Sequence, residues 1–392
     1  MSGKRRDSKN RVLRSGESQR KDGRYAYKYT DTFGKPQFVY AWKLVPTDKT
    51  PKGKREDKSL REKVKEIQKD LDDGIDPVGK KMTVCQLYEK HIRNHANVRH
   101  GTKQGRKQLM RILEKDTIGA CSIENVKMSD AKEWALRMKE KGYSFITISN
   151  HKRSLKAAFY TAIQDDCIRK NPFDFHINTV IEDDTEPKIP LSPMQEESLL
   201  SFVKSDKVYY KYYDELIILL GTGLRISEFC GLTDSDIDFE NRTINVDHQL
   251  QYSGKKSYRI ETPKTENGIR KIPMSDRVLE ALQRVMQNRR KSDFTVDGYT
   301  GFLFLTRNGT PQNYINYDIM FRKLVEKYNT SHEEALPAAT TPHTLRHTFC
   351  NAGMNPKALQ YLMGHANITM TLNYYAHATF DSAQAEFFRL VA

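Results

Sequence analysis

The spacing of apolar and polar positions changes several times along the chain, and each change marks an element. Alternation comes first: Tyr25, Tyr27 and Tyr29, then Phe38, Tyr40 and Trp42, flank the turn signal "FGKP" and predict two antiparallel strands. "SLREKVKEIQKDLDDG" then takes helical spacing, with Ser59 as N-cap, Glu62 at the capping-box position and Gly74 as the stop. Residues 1–76 therefore read as a small α+β domain whose basic, apolar-poor first 20 or so residues are expected to be flexible. "IDPVGKK" follows as a linker. From Thr83 to about Pro172 the pattern is helical in four stretches, "TVCQLYEKHIRNHA", "TKQGRKQLMRILEKD", "MSDAKEWALRMKEKG" and "SFITISNHKRSLKAAFYTAIQDDC". Four helices without strands predict a compact all-α domain over residues 82–175.

"NPFDFHINTVIEDDTEPKIP" is acidic and proline-bearing, and residues 176–190 read as a second linker. Residues 191–392 are expected to be mainly α: "SPMQEESLLSFVKS" and "YYDELIILLGTGLRISEFCGL" are helical, and more helices follow to the end. Between them "TINVDHQLQYSGKKSYRIETPKTENGIRKIPM" alternates around turn residues, which predicts a small antiparallel sheet. The length of 392 residues agrees with several domains, since one core of that size is unusual. No apolar run approaches the 18 or so residues of a membrane span, and no secretory signal opens the chain. Five cysteines (Cys85, Cys121, Cys167, Cys230, Cys350) stand far apart, as reduced cytosolic thiols do.

The net charge of +15 points to a polyanionic partner, because each phosphate contact releases counterions. Arg24, Lys28, Lys35 and Lys43 sit on or beside the predicted strands and are expected phosphate contacts. Arg106, Lys107, Arg111, Lys152, Arg153 and Lys156 give two helices of the second domain a basic side, which favours DNA over a merely solvated face.

The candidate chemistry lies in the third domain. Arg225 follows the apolar run "ELIILLGTGL", and Glu228 three residues on is placed to face it; a partly exposed structural ion pair is the alternative. "HTLRHTFC" puts His343, Arg346 and His347 on one helical turn. His343 and His347 have metal-ligand spacing but lack the glutamate of an H-E-x-x-H site and a third ligand; His343 and Arg346, three apart, share a face that suits an oxyanion or phosphate. Lys264 stands in "PKTENGIRKIP", beside a turn. "GTG" lacks the Gly-Lys-Ser/Thr of a nucleotide loop. Arginines, a lysine, histidines and a tyrosine in one basic domain match metal-free phosphoryl transfer with tyrosine as covalent nucleophile.

These boxes, in this order, resemble the tyrosine recombinases, or phage-type integrases. "GTGLRISEFCGL" is similar to the first-arginine box, "TPKTENGIRKIP" to the hairpin-lysine box and "HTLRHTF" to the His-x-x-Arg box. "LMGHANITMTLNYYAH" resembles the Gly-His box that leads to the nucleophile. The upstream layout resembles the arm-binding and core-binding domains of integrases from phages and conjugative transposons. The resemblance implies that Arg225 and Arg346 hold the scissile phosphate, with Glu228 supporting Arg225. It implies Lys264 as the acid for the leaving 5′ oxygen, His343 as assisting acid or base, and His365 as a hydrogen-bond donor to the phosphate. It further implies a 3′-phosphotyrosyl intermediate, no metal or other cofactor, and double-stranded DNA with core and arm sites as substrate. A homo-oligomer of two to four copies on DNA, an excision factor as a further partner, and a place in the bacterial cytoplasm on the nucleoid complete what it implies.

Two adjacent tyrosines compete for the nucleophile. With Asn367 as cap of a helix from Ile368, the residues Ile368, Leu372 and Tyr375 share a face, and Tyr374 points about 100° away. The resemblance agrees on Tyr375, two residues before His377. One departure stands out: "RHTFCNAG" reaches Gly353 seven residues after Arg346, about one helical turn short of the family pattern, through a shorter helix or omitted residues. "DSAQAEFFRLVA" reads as an amphipathic tail; the resemblance implies that it docks on a neighbouring copy, with packing on its own chain as the alternative. The competing functions are a type IB topoisomerase-like enzyme and a non-catalytic DNA-binding regulator.

Overall fold

The computed structural model describes residues 5–31, 34–77, 79–186, 189–254, 257–263, 265–350 and 354–375, with Gln384 and Phe388; the side chains of residues 373–375 are outside the description. Its contacts divide the chain into two compact units, Met1–Glu186 and Pro187–Ala392.

The first unit opens with a three-stranded antiparallel sheet, β1 (Glu17–Gln19), β2 (Tyr25–Thr30) and β3 (Pro36–Ala41), in that order. Tyr25 pairs with Ala41, and both face a small core with Leu44 and Leu60, while Phe38 and Tyr40 stay exposed. Helix α1 (Leu60–Asp72) begins at a reciprocal capping box between Ser59 and Glu62. Gly74, at φ +71°, stands two residues beyond its end. The strand β1 and the ordered stretch before it are not what the basic composition suggested. Ion pairs hold them: buried Asp7 meets Arg11 at 2.8 Å, Arg11 meets Asp48 at 2.9 Å, and buried Glu17 meets Arg61 at 3.0 Å. Charge pairing leaves no apolar period to read.

The helical part of this unit holds α2 (Val84–Asn94), α3 (His100–Glu114), the single turn α4 (Thr117–Ala120), α5 (Met128–Glu140) and α6 (Phe145–Gln164). Leu87, Leu113, Trp134, Leu155 and Phe159 fill its core, with Phe173 edge-on to Trp134 at 5.8 Å. The four expected helices are all present.

The second unit is built on α8 (Tyr213–Thr222), whose residues Leu216 to Leu220 are all buried. A helix apolar on all sides belongs at the centre, and α8 packs against α7 (Pro193–Ser205), α10 (Asp276–Asn288) and α12 (Pro342–Cys350). Short α9 (Ile226–Gly231) leads into β4 (Ile237–Asp238) and β5 (Thr243–Val246). The expected strand-turn-strand is divided further: β5 pairs antiparallel with β8 (Arg270–Pro273), and the hairpin of β6 (Gln249–Tyr252) and β7 (Tyr258–Glu261) lies between them in sequence. Helices α11 (Tyr314–Ser331), α13 (Pro356–Met363) and α14 (Ile368–Tyr375) complete the described fold. Among the described residues no helix is long and apolar enough to cross a membrane.

Candidate active site

Helix ends build the site. α8 stops at Gly223, which takes the left-handed conformation at φ +60°, and a Cβ there would stand 2.5 Å from the Phe349 ring. The chain turns and delivers Arg225 as the N-cap of α9. Glu228, at the third position of α9, accepts from the Arg225 backbone N–H at 3.0 Å and from its Nη1 at 2.7 Å. The expected pairing of Arg225 with Glu228 is therefore present.

Arg346, 2% exposed, reaches in from α12. Its Nη1 donates to the Gly223 carbonyl and its Nη2 to the Met363 carbonyl, both at 2.6 Å, and Nη2 also stands 3.3 Å from His365 Nε2. α13 ends at a second left-handed glycine, Gly364, whose carbonyl accepts from Arg225 Nη2 at 3.3 Å. Carbonyls at a helix C-terminus lack helical partners and carry the negative end of the helix dipole, so two such ends are natural cradles for guanidinium groups. His365 follows Gly364; its Nδ1 meets Thr371 Oγ1 at 2.9 Å, and its carbonyl accepts from Gln360 Nε2 at 3.0 Å.

A third arginine, which no motif had marked, completes the cluster. Arg270 on β8 donates to both Glu228 oxygens at 2.9 and 3.2 Å, to the Leu362 carbonyl at 2.6 Å and to the Gly268 carbonyl at 3.0 Å. A signal for it existed: Arg270 and Ile272 share the buried phase of β8.

Charge decides what this cluster can hold. Burial would push the Glu228 carboxyl up, but the hydrogen bonds and charge of Arg270, with Arg225 and Arg346, hold it down at about 2. Burial and the neighbouring Arg225 lower the affinity of Arg346 for its proton. Among the described residues Arg225 and Arg270 share the one carboxylate of Glu228, and Arg346 rests on carbonyls. Three guanidinium groups thus stand around a single negative charge, and two positive charges are left unbalanced in a largely buried setting. An anion with several oxygens would relieve that imbalance.

The remaining expected residues fall as follows. His343 is exposed, one turn before Arg346, with its ring edge-on to His347 at 4.7 Å. Lys264 lies outside the described residues; its near neighbours Asn267 and Gly268 lie against the cluster. Asn367 caps α14 through a 2.9 Å bond from the Thr369 N–H. The inward residue of that helix is Thr371, while Leu372 is 45% exposed, so the face expected from Leu372 is shifted by one position. The backbone of α14 runs to Tyr375; the tyrosine side chains and the tail, apart from Gln384 and Phe388, fall outside the described residues.

Among the expected DNA contacts, Lys28, Lys35, Lys107, Arg111 and Arg153 are exposed. Arg24 lies over Tyr40 and Trp42, Arg106 donates to the His95 carbonyl at 2.6 Å, and Lys156 pairs with Asp174 at 2.5 Å. Two are corrected. Lys43 is buried and paired with Glu56, and Lys152 is buried against the Phe175 ring with its ammonium on the Phe175 carbonyl. The Lys152 head lies over the Phe175 ring, and both heads are already satisfied by protein partners. Elsewhere Asp236, Asp247 and His248 bring three ligand-type atoms within 4.8 Å of one another. They are already committed, His248 to the Gly231 carbonyl and Asp247, and Asp236 to Thr233, and we assign no ion to them.

Comparison with known proteins places this geometry. Residues 190–382 match the model of the phage integrase family, and residues 1–71 match the DNA-binding domain of Tn916 integrase. The transposase from transposon Tn916 of Enterococcus faecalis is 61% identical over 395 residues, covering 100% of this chain and 97% of that protein. The chain belongs to the phage integrase family. It is a tyrosine recombinase, an enzyme of DNA breaking and rejoining in site-specific recombination. The Tn1549 transposon integrase in complex with a circular intermediate DNA is 66% identical, with a TM-score of 0.75 over 79% of this chain and 99% of that one. The lambda integrase tetramer bound to a Holliday junction shares the fold, at 14% identity and TM-score 0.54 over 92% of this chain and 94% of that one.

Proposed function

We propose that this enzyme is the integrase of a conjugative transposon, cutting and rejoining the ends of its element through a covalent 3′-phosphotyrosine. The observation that carries the reading is the pair of unbalanced positive charges where α8, α9, α12 and α13 meet. Arg225 and Arg346 hold the non-bridging oxygens of the scissile phosphate, and Glu228 orients Arg225. His365 donates a hydrogen bond to the phosphate. The Tyr375 oxygen attacks phosphorus and gives up its proton as the bond to the 5′ oxygen breaks. Lys264 returns a proton to that leaving oxygen, and His343 assists as acid or base. The phosphotyrosyl bond conserves the phosphodiester energy, so a 5′ hydroxyl from a partner strand reseals the DNA without ATP. Tyr375 is preferred over Tyr374 because it stands two residues before His377, the spacing the family resemblance gives, and lies about one turn beyond inward Thr371.

In the same reading, residues 1–76 bind arm sites through Arg24, Lys28 and Lys35. Residues 82–175 bind core sites through Arg106, Lys107, Arg111, Arg153 and Lys156, and residues 191–392 form the catalytic domain. Relatives solved on circular intermediate DNA and on transposon right end DNA support that substrate class. Two to four copies assemble on paired sites through the tail at 381–392, an excision factor directs the reverse reaction, and the enzyme works on the nucleoid.

One experiment tests the reading: a suicide duplex carrying the element ends, offered to the parent, Tyr375→Phe and Tyr374→Phe. The parent and Y374F form a covalent adduct and Y375F forms none; an adduct retained by Y375F removes Tyr375 as nucleophile. Adding a second duplex distinguishes strand exchange from simple relaxation. Repeating the exchange without residues 381–392 should abolish it, and unchanged exchange would dismiss docking of the tail on a neighbour.

A further inference from the structure

Helix α14 meets the arginine cluster through a side chain that no motif singled out. Thr371 is fully buried, and its Oγ1 lies 2.9 Å from His365 Nδ1. On the other side of the same ring, Nε2 lies 3.3 Å from Arg346 Nη2. A guanidinium only donates, so Nε2 carries the lone pair here and the ring proton sits on Nδ1, where it is given to the Thr371 hydroxyl. Burial first, and then Arg346, Arg225 and Arg270, holds His365 down at about 4, so the ring is neutral at physiological pH.

A neutral imidazole donates through one nitrogen at a time. To donate to a phosphate oxygen from Nε2, the ring must carry its single proton there and leave Nδ1 as an acceptor. A hydroxyl suits both arrangements, because it accepts in one and donates in the other by rotating about its C–O bond. A carboxylate or a backbone carbonyl in its place would fix the first arrangement. Thr371 also precedes Tyr375 by four residues on α14, so the same hydroxyl ties the phosphate side of the site to the helix of the proposed nucleophile.

We propose that Thr371 is a positioning residue of the cleavage site: it reverses its hydrogen bond so that His365 donates from Nε2 to the scissile phosphate, and it holds α14 in register with the arginine cluster. This rests on His365 acting as a phosphate ligand, as set out under Proposed function. The ring carries one proton before and after: solvent water gives a proton to Nε2 and accepts the one from Nδ1, with no net uptake and no change in the phosphodiester.

The test measures single-turnover adduct formation on the suicide duplex, beside DNA affinity and thermal melting, for the full chain. Thr371→Val slows the adduct roughly 10- to 100-fold with affinity within about 3-fold, and Thr371→Ser restores the rate to within about 5-fold of the parent. In a His365→Gln background, Thr371→Val costs less than about 3-fold more, as expected of two residues acting through one contact. A parental rate in T371V overturns the proposal, as does a T371S protein as slow as T371V, or a T371V loss undiminished beside H365Q. If T371V melts below the parent, Thr371→Ala, with less apolar bulk, is read in its place by the same criteria. A parental rate in H365Q itself sinks the underlying phosphate-ligand reading, whereas a slow H365Q with a fast T371V sinks only the role of Thr371.

Discussion

Glu228 holds two arginines with one carboxylate, so the members of this trio cannot be removed singly without consequence. Its oxygens receive Arg225 at 2.7 Å and Arg270 at 2.9 and 3.2 Å, with Glu228 and Arg270 buried and Arg225 partly open to water. Removing Arg270 leaves a buried carboxylate short of its main partner, a situation that costs about 3–5 kcal/mol. Arg270→Leu should lose stability on that scale in chemical denaturation. Arg270→Leu combined with Glu228→Met should recover much of it, because an apolar pair of similar volume is often neutral. The double variant should still fail to form the covalent adduct, since Arg225 no longer has the acceptor that orients it. A double variant that cleaves at the parental rate would show that Glu228 does nothing for Arg225.

At the scale of elements, two helix C-termini do work that side chains do elsewhere. Gly223 and Gly364 close α8 and α13 in the left-handed conformation, at φ +60° and +61°. Their neighbourhood supplies the carbonyls that receive Arg346 and Arg225. A Cβ would meet Phe349 at 2.5 Å in the first case and the Asn267 carbonyl at 2.9 Å in the second. Gly74, at φ +71°, has nothing within 4 Å and serves as the control. Gly74→Ala should cost about 1 kcal/mol and leave adduct formation unchanged. Gly223→Ala and Gly364→Ala should cost more than that and slow the adduct as well, because the carbonyls shift with the backbone. Equal effects of all three on adduct formation would remove the helix ends from the mechanism.

For the whole molecule, the net charge of +15 favours association with DNA, and the number of phosphates contacted sets how binding depends on salt. The phosphate contacts proposed for residues 1–76 and 82–175 predict that log K falls with log salt at a slope of about −4 or steeper. The fold sorts the lysines and arginines that contribute. Lys107→Ala and Arg111→Ala, at exposed positions, should each lower the slope by roughly 1. Lys43→Ala and Lys152→Ala should leave it unchanged, because those ammonium groups are buried on protein partners. Titrations between low and physiological salt measure this, and a slope change on removing Lys152 would mean that it leaves Phe175 to meet DNA.

What could be read without the fold is what acts within a turn or a strand. The capping box at Ser59, the helical periods of residues 83–164, the Asn367 cap and the ordered boxes around Arg225, Arg346 and His365 are all local, and all stand where the spacing put them. Leu372 misled because apolar residues stand on every side of this short helix, so the pattern marks no single face and packing chose Thr371. Strand β1, "ESQ", has no apolar residue to mark it, and backbone pairing with β2 and the Glu17–Arg61 ion pair hold it. Tertiary structure alone decided that Arg270 joins Glu228, that the β6–β7 hairpin falls between paired β5 and β8, and that Lys43 and Lys152 face inward. Arg225 meets the Gly364 carbonyl across 139 residues and Arg270 meets that of Leu362 across 92. Nothing in the local chain encodes such distances; they follow from how α13, on its own small cluster with Cys350, packs against β8 beside the core of α8 and the sheet.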